Sequence, residues 1–264
     1  MIDLHCHLLP GIDDGAADLA ASLAMARAAV ADGIRIVACT PHIYPGLYEN
    51  TAAGIRAATR RLAQVLREHD IDLSLVWGAD IHLVPGLLSL LRDGSVPTLN
   101  DSRYFLLEPP HHVAPPRFEE SVFELMTAGY LPVITHPERL SWIETHYEVM
   151  QRLVRRGAWM QVTAGSLAGR FGRRPRYWGE RMLSEGLVHL LATDSHGVSP
   201  RPPHLAEGRE LAARRIGEAQ ATLLVRDRPR AVLMNLPPSA VPAPLIPARG
   251  ESAWKRMQEM LPWR

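Results

Sequence analysis

The sequence predicts an α/β barrel of alternating strands and helices, and two observations carry that expectation. Seven apolar segments of strand length alternate with helical segments, the pattern of parallel strands joined by right-handed crossovers. The ends of these segments repeatedly carry His, Asp or Glu: His5 and His7, His42, Asp80, Glu108, His136, Asp194 and His196. A closed parallel barrel gathers the carboxyl ends of its strands on one face, whereas an open doubly wound sheet spreads them along a line. A single polar residue at a strand end needs no special account, but this whole set is a candidate site.

The first predicted strand, Ile2 to Cys6, places His5 and His7 two positions apart and so on one face. A turn follows, then an alanine-rich helix from about Ala16 to Asp32, with Asp13 or Asp14 as its cap and Gly33 as its stop. Strand Ile34 to Thr40 precedes a segment with Tyr44 and Tyr48, which leads into a helix from about Thr51 to Glu68 with Arg60 and Arg61 on its solvated face. Strand Leu73 to Gly78, a short helix Pro85 to Leu91 and strand Arg103 to Leu107 come next. A proline-flanked loop with His111 and His112 is followed by helix Arg117 to Ala128, strand Leu131 to Thr135 and a helix from about Leu140 to Arg156. Strand Trp159 to Thr163 enters a glycine- and arginine-rich loop carrying Arg170, Arg173, Arg174 and Arg176. That loop reads either as a solvated surface or as a basic rim for a phosphorylated or acidic segment. Helix Tyr177 to Glu185, strand Val188 to Thr193 and helices from about Leu205 to Arg215 and from Gly217 to about Leu224 complete the alternation. His69, His82, His146, His189 and His204 read as ordinary surface or core residues.

The unit is expected to span residues 1–235. From Pro229 the chain turns rich in proline and alanine, which favours extended conformation. Residues 236–264 are read as a tail in which Trp254, Met257 and Leu261 share one side of a short amphipathic helix, folded back on the barrel or docking a partner.

Composition bounds the function. With 264 residues, one barrel or two small domains fit, and 47% hydrophobic residues suffice for a core. A net charge of +1 gives no global pull toward nucleic acid or an anionic membrane. No apolar run approaches the roughly 20 residues that span a bilayer. Cys6 and Cys39 lie in apolar strand contexts and the chain begins directly on a strand, so buried thiols in a cytoplasmic protein are expected.

Imidazole and carboxylate donors without a usable thiolate suit manganese, iron or zinc, and their number exceeds the three or four that one zinc takes. Two or three divalent ions are therefore expected. A pair about 3.5 to 4 Å apart can activate a bridging water and clamp phosphoryl oxygens during in-line attack. Arg139, in His-Pro-Glu-Arg, and Arg201, shortly after His196, fall just beyond candidate ligands, where guanidinium forks match phosphate oxygens. Thiol-based phosphatase chemistry is excluded: an arginine is needed six residues after the cysteine, and Ile12 and Pro45 stand there. A GxxxxGK phosphate loop is also missing.

Read together, Asp-Leu-His-Cys-His-Leu-Leu-Pro-Gly-Ile-Asp-Asp-Gly, Cys-Thr-Pro-His, Thr-His-Pro-Glu-Arg, Gln-Val-Thr-Ala-Gly-Ser-Leu, and Thr-Asp-Ser-His with Arg-Pro-Pro resemble the polymerase-and-histidinol-phosphatase (PHP) superfamily. Within it, they look like the bacterial manganese-dependent protein-tyrosine phosphatases of capsule and exopolysaccharide operons. The resemblance covers roughly residues 1–235. It implies a distorted (β/α)7 barrel of the PHP type with a trinuclear metal centre. One ion would be held by His5, His7 and Asp194 with Asp80, a second by Glu108 and His136 with Asp80, a third by Asp14, His42 and His196. Arg139 and Arg201 would engage the phosphate, and a metal-bound hydroxide would attack phosphorus. The implied substrate is the phosphotyrosine tail of a bacterial tyrosine kinase. A small-molecule phosphoesterase such as a histidinol phosphatase, or a metal-binding regulatory module that no longer turns over, are the competing readings. The chain departs from the family pattern at Asp80, where glutamate is usual and one methylene longer.

Overall fold

In the computed structural model, which describes residues 1–245, the strands form a distorted parallel barrel. Strand β1 (Ile2–Cys6) pairs with β2 (Ile36–Cys39), and β2 with β4 (Ser74–Trp77). A second arc runs β3 (His42–Ile43), β5 (Asp80–His82), β6 (Tyr104–Glu108), β7 (Leu131–Thr135), β8 (Trp159–Thr163) and β9 (Leu190–Ala192). Every ladder is parallel. Two of the seven predicted strands resume after a break, beyond their predicted ends, β2 continuing as β3 and β4 as β5. The first break falls at Thr40 and Pro41, where proline has no N–H for a ladder. The second falls at Gly78, where an added Cβ would lie 2.7 Å from the Leu99 side chain, so only glycine passes. The two short continuations, unmarked by the apolar pattern, carry His42 and Asp80.

The barrel closes between its first and last strands. Asp194 N donates to His5 O at 2.8 Å, and His7 N to Ser195 O at 2.9 Å. Beneath them, Asp3 accepts from Thr193 N at 3.1 Å.

The helices fall where the apolar periodicity puts them. Helix α1 (Leu19–Ala31) is capped by Asp18, whose side chain accepts from Ala21 N. The expected cap at Asp13 or Asp14 is therefore corrected, since both belong to the loop above β1. Helix α2 (Ala52–Glu68) is capped by Thr51 and buries Ile55, Thr59, Leu62 and Leu66, one stripe at helical spacing. Helices α3 (Leu87–Arg92), α4 (Phe118–Thr127) and α5 (Ile143–Arg155) follow within a few residues of expectation. A single turn, α6 (Ala164–Leu167), leads to α7 (Arg173–Ser184). Helix α7 thus starts earlier than predicted, because Pro175 sits in the first turn, where its missing N–H costs nothing. The arginines read as a loop are accordingly engaged: Arg170 pairs with Glu207, Arg174 donates to Leu140 O and Ser141 O, and Arg176 pairs with Glu180.

After α8 (Leu205–Ile216) and α9 (Glu218–Thr222), the chain stays helical through a π turn and α10 (Arg228–Leu233). The extended tail expected from Pro229 is corrected here: proline at the start of a helix is pre-set for it. Residues beyond α10 remain attached, with Tyr104 Oη donating to Leu236 O at 2.8 Å and Arg228 Nε to Pro242 O at 2.8 Å. Trp254, Met257 and Leu261 lie outside the described residues. No helix among the described residues is long and apolar enough to cross a membrane.

Alternation along the strands divides the barrel interior into a dry floor and a polar mouth. Tyr104, Leu106, Val133, Trp159 and Leu190 form one buried cluster with Ala231, Val232 and Val241, which plug the amino end. Two residues further along the same strands come Glu108, Thr135 and Gln161. The change from apolar to polar at that level marks where the site begins.

Candidate metal centre

The site forms on the carboxyl-end face. His5 and His7 come from the end of β1, Asp13 and Asp14 from the loop above it, His42 and Asp80 from the strand continuations, and Glu108 from the end of β6. His136 follows β7, and Asp194 and His196 follow β9. Two of these residues hold backbone conformations that side chains rarely adopt: His136 at φ 35° and Asp194 at φ 51°. Such outliers persist only where the surroundings enforce them, and they cluster at functional sites.

Their donor atoms converge. His5 Nε2 lies 3.2 Å from His7 Nε2, as the two-residue spacing predicts. Asp80 Oδ2 stands at the middle, 3.4 Å from His5 Nε2, 3.7 Å from His42 Nδ1 and 3.7 Å from His136 Nε2. Glu108 reaches His42 Nδ1 at 3.4 Å and His136 Nε2 at 3.7 Å. Asp14 Oδ1 lies 3.5 Å from His42 Nε2 and 3.3 Å from His196 Nε2. Asp194 divides its carboxylate: Oδ1 faces His5 at 3.3 Å and His7 at 3.4 Å, while Oδ2 accepts from both Arg139 and Arg201.

The set suits divalent cations. Among the described residues, five overlapping groups of three or four side chains have ligand atoms within 4.8 Å of one another, including His7, Asp14, His42 and His196, and His5, His136 and Asp194. Asp80 Oδ2, His42 Nδ1 and His196 Nε2 are buried without a hydrogen-bond partner. Buried polar atoms normally have partners, so these are atoms shaped for something else. Charge points the same way. Burial opposes the charge on Asp194, yet His5, Arg201, His7 and Arg139 hold its carboxyl well below the usual range. Burial likewise opposes Asp80, and His5 and His136 override it. Burial would neutralise His5, but Asp80 and Asp194 push its pKa up to about 9. Asp80 and Asp194 are thus held ionised, as ligation requires, and metal binding would displace the proton that His5 keeps.

Residues 1–234 match the family described as capsular polysaccharide synthesis, CpsB/CapC. The chain belongs to this family. Among relatives of the CpsB/CapC chain, the tyrosine-protein phosphatase YwqE of Bacillus subtilis is 37% identical over 248 residues, covering 91% of this chain and 96% of that protein. The tyrosine-protein phosphatase CpsB of Streptococcus pneumoniae is 28% identical over 245 residues, covering 89% and 99%. A solved structure from work on YwqE and CpsB, described as metal-dependent tyrosine phosphatases, superposes with a TM-score of 0.86 at 36% identity, over 93% of this chain and 99% of that one. The phosphotriesterase of Mycobacterium tuberculosis, 11% identical, shares the fold alone, at a TM-score of 0.53 over 89% and 94% of the two chains.

All eleven residues singled out in the sequence meet in the CpsB/CapC chain at this one mouth. Others were passed over. Asp13 Oδ2 accepts from His7 Nδ1 at 2.7 Å and from His42 N at 3.1 Å; the reading of Asp13 as a possible cap hid it. Gln161 Oε1 sits 2.8 Å from His5 Nδ1. These contacts fix each ring and leave its Nε2 facing the centre. His82, read as ordinary, lies 3.6 Å from Glu108 Oε2 and stacks on Tyr44, and its place two residues after Asp80 on a strand was an available signal. His111 packs its ring 4.8 Å from that of His136. Glu138, in the His-Pro-Glu-Arg turn, is buried, and its Oε1 accepts from Thr163 N at 3.0 Å and Ser166 Oγ at 2.7 Å.

Proposed function

We propose that this CpsB/CapC protein is a metal-dependent protein-tyrosine phosphatase acting on the phosphotyrosine tail of a bacterial tyrosine kinase that regulates capsule or exopolysaccharide synthesis. The observation that carries the reading is the division of Asp194, one oxygen toward the imidazole cluster and the other toward two arginines. That arrangement sets two guanidinium forks at the rim of a centre with room for cations. The activity of YwqE and CpsB supplies the reaction class.

His5, His7, Asp80 and Asp194 would hold one ion, Asp80, Glu108 and His136 a second, and Asp14, His42 and His196 a third. Manganese fits this oxygen and imidazole set, as iron and zinc do. Bound ions would supply an activated water and neutralise phosphoryl charge. Arg139 and Arg201 bind the equatorial oxygens of the phosphoryl group and stabilise the charge that grows there. Asp13 and Gln161 keep the His7 and His5 rings in the tautomer that faces the centre. The leaving phenolate has a conjugate acid of pKa about 10, so it departs with less acid assistance than an alkoxide. Buried, unbridged Cys6 and Cys39 support a reducing, cytoplasmic location.

The test is hydrolysis of a phosphotyrosine peptide by metal-stripped protein with manganese returned, beside His136→Ala and with histidinol phosphate as a second substrate. Restored turnover of the peptide in the wild type alone is expected. Preference for histidinol phosphate, or bound metal with no ester cleaved, would overturn it.

A further inference from the structure

Arg139 and Arg201 pose a problem that Asp194 alone does not solve. Two guanidinium groups approach one carboxylate oxygen, and like charges so close repel. Phe171 lies beside both. The Arg139 guanidinium carbon stands 4.3 Å from the centre of the Phe171 ring, and that of Arg201 stands 5.9 Å from it. Both distances fall within the reach of a cation over an aromatic face, whose negative quadrupole attracts it.

The loop that carries Phe171 is built to keep it there. Arg170 N donates to Gly165 O at 2.9 Å, Gly169 N to Ser166 O at 3.0 Å and Gly172 N to Gly169 O at 2.9 Å. Gly169 at φ 79° and Gly172 at φ 90° allow the tight reversal on either side. An added Cβ on Gly165 would meet the Phe171 ring at 3.1 Å, so glycine leaves room for the ring. Ser166 in turn donates to Glu138, the residue just before Arg139. The ring and the guanidinium it faces are therefore referenced to one buried carboxylate.

We infer that Phe171 is a positioning residue that pre-sets the Arg139 and Arg201 forks for the phosphoryl group. The inference rests on the phosphatase reading for its substrate. Held by Asp194 at one edge and by the ring across one face, Arg139 has little rotamer freedom left to lose when phosphate binds. Removing the ring frees it, and each encounter with phosphate must then order it again.

The experiment compares Phe171→Ala, Phe171→Leu and Phe171→Tyr with the wild type, all loaded with manganese and matched for metal content. Calorimetric binding of inorganic phosphate is measured first, then KM and kcat for a phosphotyrosine peptide. Phe171→Ala and Phe171→Leu are expected to bind phosphate about tenfold more weakly, the scale of one cation–π contact at a partly desolvated site, and to raise KM similarly. Phe171→Tyr keeps the aromatic face and is expected to stay near the wild type. If leucine serves as well as tyrosine, the ring only fills space and the inference falls. It falls equally if no variant weakens phosphate binding. Should Phe171→Ala fail to fold, the leucine and tyrosine pair still decides. A wild type that binds phosphate but cleaves no phosphotyrosine would overturn the proposed activity, while the calorimetric comparison would still judge Phe171.

Discussion

His7 Nδ1 and Asp13 Oδ2 stand 2.7 Å apart, so Asp13 holds one edge of the His7 ring and turns Nε2 toward the centre. Burial works against the charge on Asp13, but His7 and the Gly15 and His42 amides lower its pKa and keep it a ready acceptor. Asp13→Ala is expected to weaken metal binding about 10- to 100-fold, the usual loss when an outer partner of a ligating histidine is removed. Titration of the metal-stripped variant with manganese checks this. Unchanged affinity would mean that Asp13 serves only the loop.

Asp80 offers a second test, because its Oδ2 is fully buried among three imidazoles and has no hydrogen bond. Asp80→Asn keeps the shape and removes the charge, and is expected to lower bound metal together with turnover, by about 100-fold or more. Asp80→Glu restores the residue usual in the family but adds a methylene to a fully buried side chain. The metal-free variant is expected to be about 1 to 3 kcal/mol less stable by denaturant unfolding, the ordinary cost of overpacking. Equal stability would show room for the longer side chain.

His189 provides a pH test away from the centre. Its ring stacks on Trp159, its Nδ1 accepts from Met160 N at 3.3 Å, and burial together with Arg228 depresses its pKa to about 3. Unfolded, the same imidazole takes a proton near pH 6.5. Between those values the unfolded chain binds more protons, so the contribution is complete above about pH 6.5 and is lost as pH falls toward 3. At pH 5 the wild type is expected to have lost about 2 kcal/mol through this residue. Denaturant unfolding at pH 7.5 and pH 5 should show a smaller difference in His189→Gln. An equal difference in both proteins would sink the assignment.

Much of the centre was legible because its candidate ligands end strands. His5, His7, Glu108, His136, Asp194 and His196 stand where an apolar run gives way to a polar residue, and parallel topology then brings them together. The partners behind them carry no such mark. Gln161 meets His5 from a strand on the far side of the chain order, and nothing in their spacing announces it. Phe171 reads as one apolar residue in a basic loop until the fold sets it against Arg139. The end of the barrel misled for another reason: proline and alanine suit a helix start as well as an extended tail, and packing on Tyr104 and Asn100 chose the helix. Resemblance supplied what residues alone could not, the proposed assignment of particular side chains to particular ions.

The seam between β1 and the end of β9 has a consequence for how the molecule comes into being. His5 and His7 leave the ribosome long before Asp194, which faces both and donates its N–H to the His5 carbonyl. Contacts so distant in sequence close late and slowly. The complete set of these side chains is therefore assembled only in a chain that has finished wrapping, and a nascent fragment lacks it. Once an ion is held there, the same side chains clasp the seam, so release of the ion and opening of the barrel become linked steps, and metal starvation would shorten the protein's lifetime as well as silence it.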